Sequence, residues 1–218
     1  MEQSTSSHLA KLVDFDSIAA RVDAASLVLF DLDDTLYFEM QYLKACYLAI
    51  SRDASAKSGV PTEDIFGWLQ SEFQETGRGQ IFQKLCRVFA ISPHQIGDWV
   101  HIMRTVNIPE GLSLKIWAEP ILDRCRGKAA ILTNGNSEQQ ENKVKLLGLR
   151  NAFPEIPVYC AEQWEPKPST AVLGAIEEDF SFVTNDALMI GDSSVDEEFA
   201  SLAKIEFLHV KVIDDAFA

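Results

Sequence analysis

The stretch Leu27-Val28-Leu29-Phe30-Asp31-Leu32-Asp33-Asp34-Thr35-Leu36-Tyr37 sets the expectation for the fold. Four apolar residues end abruptly in carboxylates. This is the pattern of a buried parallel strand that delivers charge to its C-terminal edge. In open α/β sheets, ligands bind outside that edge. Packing gives no reason to gather three acids there, because they repel one another unless something positive lies between them. A hard divalent cation with oxygen ligands is the candidate.

The rest of the chain alternates in the same style. Ala129 to Thr133, Ile156 to Ala161, Ala187 to Asp192 and Ile205 to Val210 read as further strands. Between them lie helical patterns: one ends at Leu147 with Gly148 as its cap, one carries Val172, Leu173, Ile176 and Phe180, and one carries Val195, Phe199 and Leu202. Pro168 fits the first turn of the middle one. Strand–helix alternation implies a parallel sheet with right-handed crossovers. From Tyr37 to about Arg104 the pattern is helical instead. Leu43, Cys46, Tyr47 and Ile50 form one stripe, and Ile81, Phe82, Leu85, Val88 and Phe89 another. This insert follows the first core strand, so it leaves the sheet at the ligand-binding edge and can cover it. Residues 8–25 read as a helical lead-in.

Composition narrows the partners. The 218 residues are 47% hydrophobic and 24% charged, a profile of soluble globular chains. No run approaches the roughly 20 apolar residues of a membrane span. The polar start, Met1 to Ser7, has no apolar signal core, so a cytoplasmic location is expected. A net charge of −14 without a basic cluster argues against nucleic-acid polymers and acidic membranes. Cys46, Cys86, Cys125 and Cys160 are widely spaced, which favours buried thiols over zinc or disulfides.

Four polar clusters follow the strands: Asp31/Asp33, Thr133-Asn134-Gly135, Lys167, and Asp192 with Asp196. Each alone reads as a turn, a helix start or an N-cap. Together they converge on one sheet edge and make sense as a phosphoryl-transfer site. Asp31, fixed at the strand end, can attack phosphorus. Asp33 can protonate the leaving oxygen and later activate water. Mg²⁺ would take oxygens from Asp31, the Asp33 carbonyl and Asp192. Thr133 and Asn134, with nearby backbone N–H groups, and Lys167 would hold phosphate. Asp196, one helical turn after Asp192, can orient a metal-bound water or hold Lys167. Asp34 has no role that this chemistry requires and reads as a turn residue. Arg78, in the loop Thr76-Gly77-Arg78-Gly79, reads as a solvated loop arginine, slightly ahead of a substrate contact.

This ordered set resembles the haloacid dehalogenase superfamily. Asp31-Leu32-Asp33-Asp34-Thr35, Leu132-Thr133-Asn134-Gly135, Lys167-Pro168 and Gly191-Asp192-Ser193-Ser194-Val195-Asp196 carry the likeness, in the right order over residues 27–196. It implies a Rossmann-like core (residues 1–36 and 115–218) and an all-helical type 1 cap (37–114). It also implies Mg²⁺-dependent phosphatase chemistry through a phospho-aspartate. Asp31 is then the nucleophile and Asp33 the acid/base; Asp192 binds metal and Asp196 supports it. The dehalogenase branch lacks the second acid, so Asp33 favours phosphate. Leu36-Tyr37 and the Thr133 stretch are similar to the branch acting on nucleoside monophosphates and acyl sugar phosphates. The expected substrate is a small phosphorylated metabolite, a nucleoside monophosphate or sugar phosphate. A phosphomutase and a non-catalytic phospho-ligand binding protein are the alternatives. The approach to Lys167, Glu162 to Pro166 with Trp164, departs from a family pattern that often has small or glycine residues there, and Lys204 stands where family members often have glycine.

Overall fold

In the computed structural model, which describes residues 15–217, α1 (Phe15–Ala24) leads into β1 (Leu27–Phe30). All four β1 residues are fully buried. The reason is its place: β1 is the central strand of a five-stranded sheet of order β3-β2-β1-β4-β5. The other strands are β2 (Ala129–Thr133), β3 (Val158–Cys160), β4 (Ala187–Gly191) and β5 (Glu206–His209), and every pairing is parallel.

Alternation along β1 sends Val28 and Phe30 to one face and Leu27 and Leu29 to the other. On the first face they pack with Ile131, Ile190, Ile121, Val144 and Ile213. These include side chains from α6 (Ala118–Arg124), α7 (Ser137–Leu146) and, after the short α8 (Leu149–Ala152), α11 (Val210–Ala216). On the second face they pack with Leu132, Met189, Ile176 and Phe199, the last two from α9 (Leu173–Asp179) and α10 (Ser194–Ala203). Burying each such side chain contributes about 1.5–3 kcal/mol. A sheet covered on both faces needs apolar residues at successive positions, which is why β1 reads as a continuous run.

Between β1 and β2 stand α2 (Met40–Ser58), α3 (Thr62–Thr76), α4 (Ile81–Val88) and α5 (Ile96–Thr105). They have a core of their own, built on Leu43, Tyr47, Ile50, Ile65, Leu69, Leu85 and Trp99. The insertion leaves and returns at one place. Tyr37 pairs with Leu114 in an antiparallel bridge, and Lys115 N–H donates to the Leu36 carbonyl at 2.8 Å. It also rests on α7: Asn142 donates to the Val106 carbonyl at 3.0 Å.

Differences from the sequence reading are local. β2 has the expected bounds, while β3, β4 and β5 are shorter than expected at their ends. Pro168 is not in a helix; it lies in a turn closed by Ser169 N–H on the Pro166 carbonyl, and α9 begins only at Leu173. Lys204 takes the left-handed cap of α10 (φ 57°) without glycine. All four cysteines are buried and unpaired. Among the described residues, no helix is long and apolar enough to cross a membrane. The expected lead-in over residues 8–25 is seen from Phe15; its earlier part lies outside the described residues.

Candidate active site

The C-terminal ends of β1, β2 and β4, and the turn beyond β3, open into one cavity of about 260 Å³. Asp31, Asp33, Thr133, Asn134, Lys167, Asp192 and Asp196 all line it. Every residue singled out from the sequence therefore meets at one edge.

Asp31 and Lys167 form the buried floor. The Lys167 ammonium donates to Asp31 Oδ1 at 2.6 Å, to Asp196 Oδ1 at 2.5 Å and to the Leu132 carbonyl at 3.0 Å. All three of its protons are used, so it is a fixed positive charge rather than a free donor. Burial alone would lower its pKa, but Asp31 and Asp196 outweigh burial and raise it. Asp31 is pushed up to about 7, chiefly by burial and further by Asp196 and Asp33, against the pull of Lys167. Asp196 is held in turn by Ser193 in a capping box at the start of α10.

Asn134 serves this floor through its side chain. It accepts from Lys167 N–H at 2.8 Å and donates to the Lys167 carbonyl at 3.0 Å, locking the turn that carries the lysine. One N–H of its amide is thereby used; the second, with main-chain N–H groups, is what this turn can offer a ligand. Thr133 lines the cavity; its hydroxyl donates to the Asn134 carbonyl at 3.3 Å and accepts from Gln140 Nε2 at 3.1 Å.

Gly135 makes the turn fit. Its φ is +133°, and a Cβ there would lie 2.7 Å from Gln140 Nε2. Gly135→Ala is expected to cost roughly 1–3 kcal/mol, read as a lower urea midpoint at unchanged slope. An unchanged midpoint would mean that Gln140 moves aside freely.

A metal position is implied by the donors. Carboxylate oxygens of Asp31, Asp192 and Asp196 lie within 4.8 Å of one another. Asp192 is raised by burial, then by Asp196 and Asp34, and its hydrogen bond from a side chain is a long one from Thr35 at 3.4 Å. Asp192, so weakly supplied with donors and set beside two further acids, suits a hard divalent cation. The oxygen-only donor set fits Mg²⁺ and disfavours a soft metal.

Several residues were not visible from the sequence. The Lys143 ammonium is buried against both Asp33 oxygens, at 2.8 and 2.6 Å, and reaches Glu39 at 3.3 Å. Tyr37 donates to Asp33 at 2.5 Å, and Gln140 adds a contact at 3.2 Å. Asp33 thus has one carboxylate oxygen on Tyr37 and Lys143 and the other on Lys143 and Gln140. Glu39, raised by burial and by Asp33, also accepts from Arg78 of the insertion. Arg78 is a solvated loop arginine, its side chain 51% exposed, and it also lines the cavity through its pairing with Glu39. Asp34 is a turn residue as expected, with φ 55° and its side chain accepting Glu39 N–H at 3.0 Å. The signal for Gln140 and Lys143 was their spacing with Val144 and Leu147, one helix turn apart on the buried face of α7.

The family model described as haloacid dehalogenase-like hydrolase matches residues 28–210. The chain belongs to this family. Solved structures agree in fold. YfnB of Bacillus subtilis, bound to magnesium, has a TM-score of 0.59 at 22% identity, covering 83% of this chain and 84% of that one. A Thermotoga maritima protein provisionally named beta-phosphoglucomutase has a TM-score of 0.60 at 20% identity, with 83% of each chain covered. A HAD-superfamily hydrolase, subfamily IA, variant 1, from Geobacter sulfurreducens has a TM-score of 0.57 at 20% identity, covering 84% and 86%. No curated protein matches the sequence. This haloacid dehalogenase-like hydrolase therefore carries its cavity where the family fold places the C-terminal strand edge.

Proposed function

We propose that this hydrolase is a Mg²⁺-dependent phosphatase acting on a small phosphomonoester, with residues 37–114 as its cap. The observation that carries the reading is a pair of carboxylates on one cavity, Asp31 against a buried lysine and Asp33 held separately by Lys143 and Tyr37. A halide reaction has no use for the second acid.

An Asp31 oxygen attacks phosphorus, and the bond from phosphorus to the leaving oxygen breaks. Asp33 gives that oxygen its proton. Asp33 then takes a proton from water, whose oxygen attacks the phospho-aspartate; the bond to Asp31 breaks and inorganic phosphate leaves. Lys167 offsets the negative charge of the approaching ester without spending a donor. The Thr133 hydroxyl and turn N–H groups meet the phosphoryl oxygens. Asp31, the Asp33 carbonyl and Asp192 would hold Mg²⁺, with Asp196 behind them. The ion supplies charge neutralisation between carboxylate and phosphate.

The direct test is phosphate release from a panel of nucleotides, sugar phosphates and phosphoglycolate, with Mg²⁺ and with chelator. Release that requires Mg²⁺ is expected. No release from any ester would overturn the proposal.

Asp31 adds a pH test. Its carboxyl lies at about 7 in the fold, against about 3.9 in an unfolded chain. The fold thus favours its protonated form. That contribution to stability is complete below about pH 4 and is lost as pH rises through about 7. With chelator present, the melting temperature is expected to fall between pH 5 and 8. Millimolar Mg²⁺ should restore it more at pH 8, because the ion needs the carboxylate. An equal or larger Mg²⁺ shift at pH 5 would contradict this.

A further inference from the structure

A second cavity of about 260 Å³ adjoins the first, and Arg78 lines both. Its walls come from both parts of the chain. Tyr47, Ile81, Phe82, Val100 and Met103 face it from the cap, and Asn136 and Gln139 from the start of α7. Asn136 begins two residues after Asn134 of the catalytic cavity, so the two spaces are neighbours along the same turn. Together they reach the size usual for small-molecule sites, roughly 300–1,000 Å³.

We propose that this second cavity receives the leaving group of the phosphomonoester, and that it selects an aromatic or heteroaromatic one. The inference rests on the phosphatase reading above and names its substrate class. Two aromatic walls are held in place from behind. Phe82 stands edge-on to Trp99 at 5.9 Å, and Tyr47 edge-on to Phe73 at 6.1 Å. Fixed rings of this kind give a flat ligand contact area at little entropic cost. Ile81, Val100 and Met103 complete an apolar wall against which a flat ring buries more surface than a small polyol does. The guanidinium groups of Arg78 and Arg104 can lie against a π-face. Asn136 is committed to capping α7 and to Glu162, which leaves Gln139 as the core-side amide able to read a heteroatom edge. Arg78, held by Glu39, stands where phosphate and leaving group would join.

The test uses the full chain with Asp31→Asn, which binds without turnover, in magnesium chloride. Calorimetry is expected to give phenyl phosphate and adenosine 5′-monophosphate about tenfold or more tighter binding than glycerol 3-phosphate. Met103→Trp, which fills the second cavity, should remove that difference by weakening the aromatic esters alone. Phe82→Ala, which removes one ring, should act in the same direction. Equal affinity for the three esters, or variants that weaken all three alike, would overturn the assignment. The phosphatase reading fails separately: selective binding of aromatic esters by Asp31→Asn, with no phosphate released by the native chain, keeps the cavity assignment and removes the reaction.

Discussion

Asp31→Asn is expected to lower kcat by about 10³-fold or more while leaving the fold in place. The amide keeps the shape of the carboxylate and removes the attacking oxygen anion. The fold should tolerate the change because burial already disfavours charge there, holding the Asp31 carboxyl at about 7. Lys167 keeps two partners, Asp196 and the Leu132 carbonyl. Circular dichroism and melting at pH 8 check the fold, and phosphate release checks the rate. Activity within tenfold of the native chain would remove Asp31 from the reaction. An unfolded variant would instead assign it to structure.

Lys143→Met is expected to destabilise the protein by about 3–5 kcal/mol, the usual consequence of stripping the cation from buried acids. Lys143 is nearly inaccessible and lies between Asp33 and Glu39, whose side chains are 20% and 8% exposed. Methionine fills similar volume, so the loss is electrostatic. Adding Glu39→Gln should recover part of it, because Asp33 then no longer faces a second acid that only Arg78 offsets. Urea unfolding measures both. The rate should fall as well, since Asp33 loses the group that spans both its oxygens. A loss below about 1 kcal/mol would place the pair among weak surface bridges.

These two residues mark how much a sequence discloses. Asp31 announces itself, because an acid at the end of an apolar run has few structural uses. The same holds for Thr133 at the end of β2, Asp192 just past β4 and Lys167 in the turn beyond β3, and the parallel order of those strands brought them together. Lys143 gave no such notice. It sits within a polar helix, and charged residues there ordinarily face water. Its burial follows from Asp33 and Glu39, acids from a loop more than a hundred residues earlier. The pairing of Arg78 was hidden for the same reason: its partner, Glu39, belongs to another part of the fold. Pro168 shows a different limit. A proline after a strand fits a helix start or a turn equally well, and the contacts of Lys167 and Asn134 decided for the turn. Pattern reveals what an element needs of its own sequence. It does not reveal a charge whose reason lies elsewhere in the chain.

The bridge between Tyr37 and Leu114 has a consequence for how such a protein can change. The helical segment begins and ends at one hydrogen-bonded seam. For the sheet, the whole segment is a closed loop, and lengthening a loop adds only about 0.6 kcal/mol per doubling. Helices between the seam residues can be replaced, extended or re-faced while the strands beneath stay in register. On the proposed reading, the carboxylates that make and break bonds stay on the sheet, while most of the second cavity's apolar wall lies on the variable segment. A chimaera joined at this seam is expected to keep the reaction of the parent that supplies the sheet and to shift its preference toward the parent that supplies the helices.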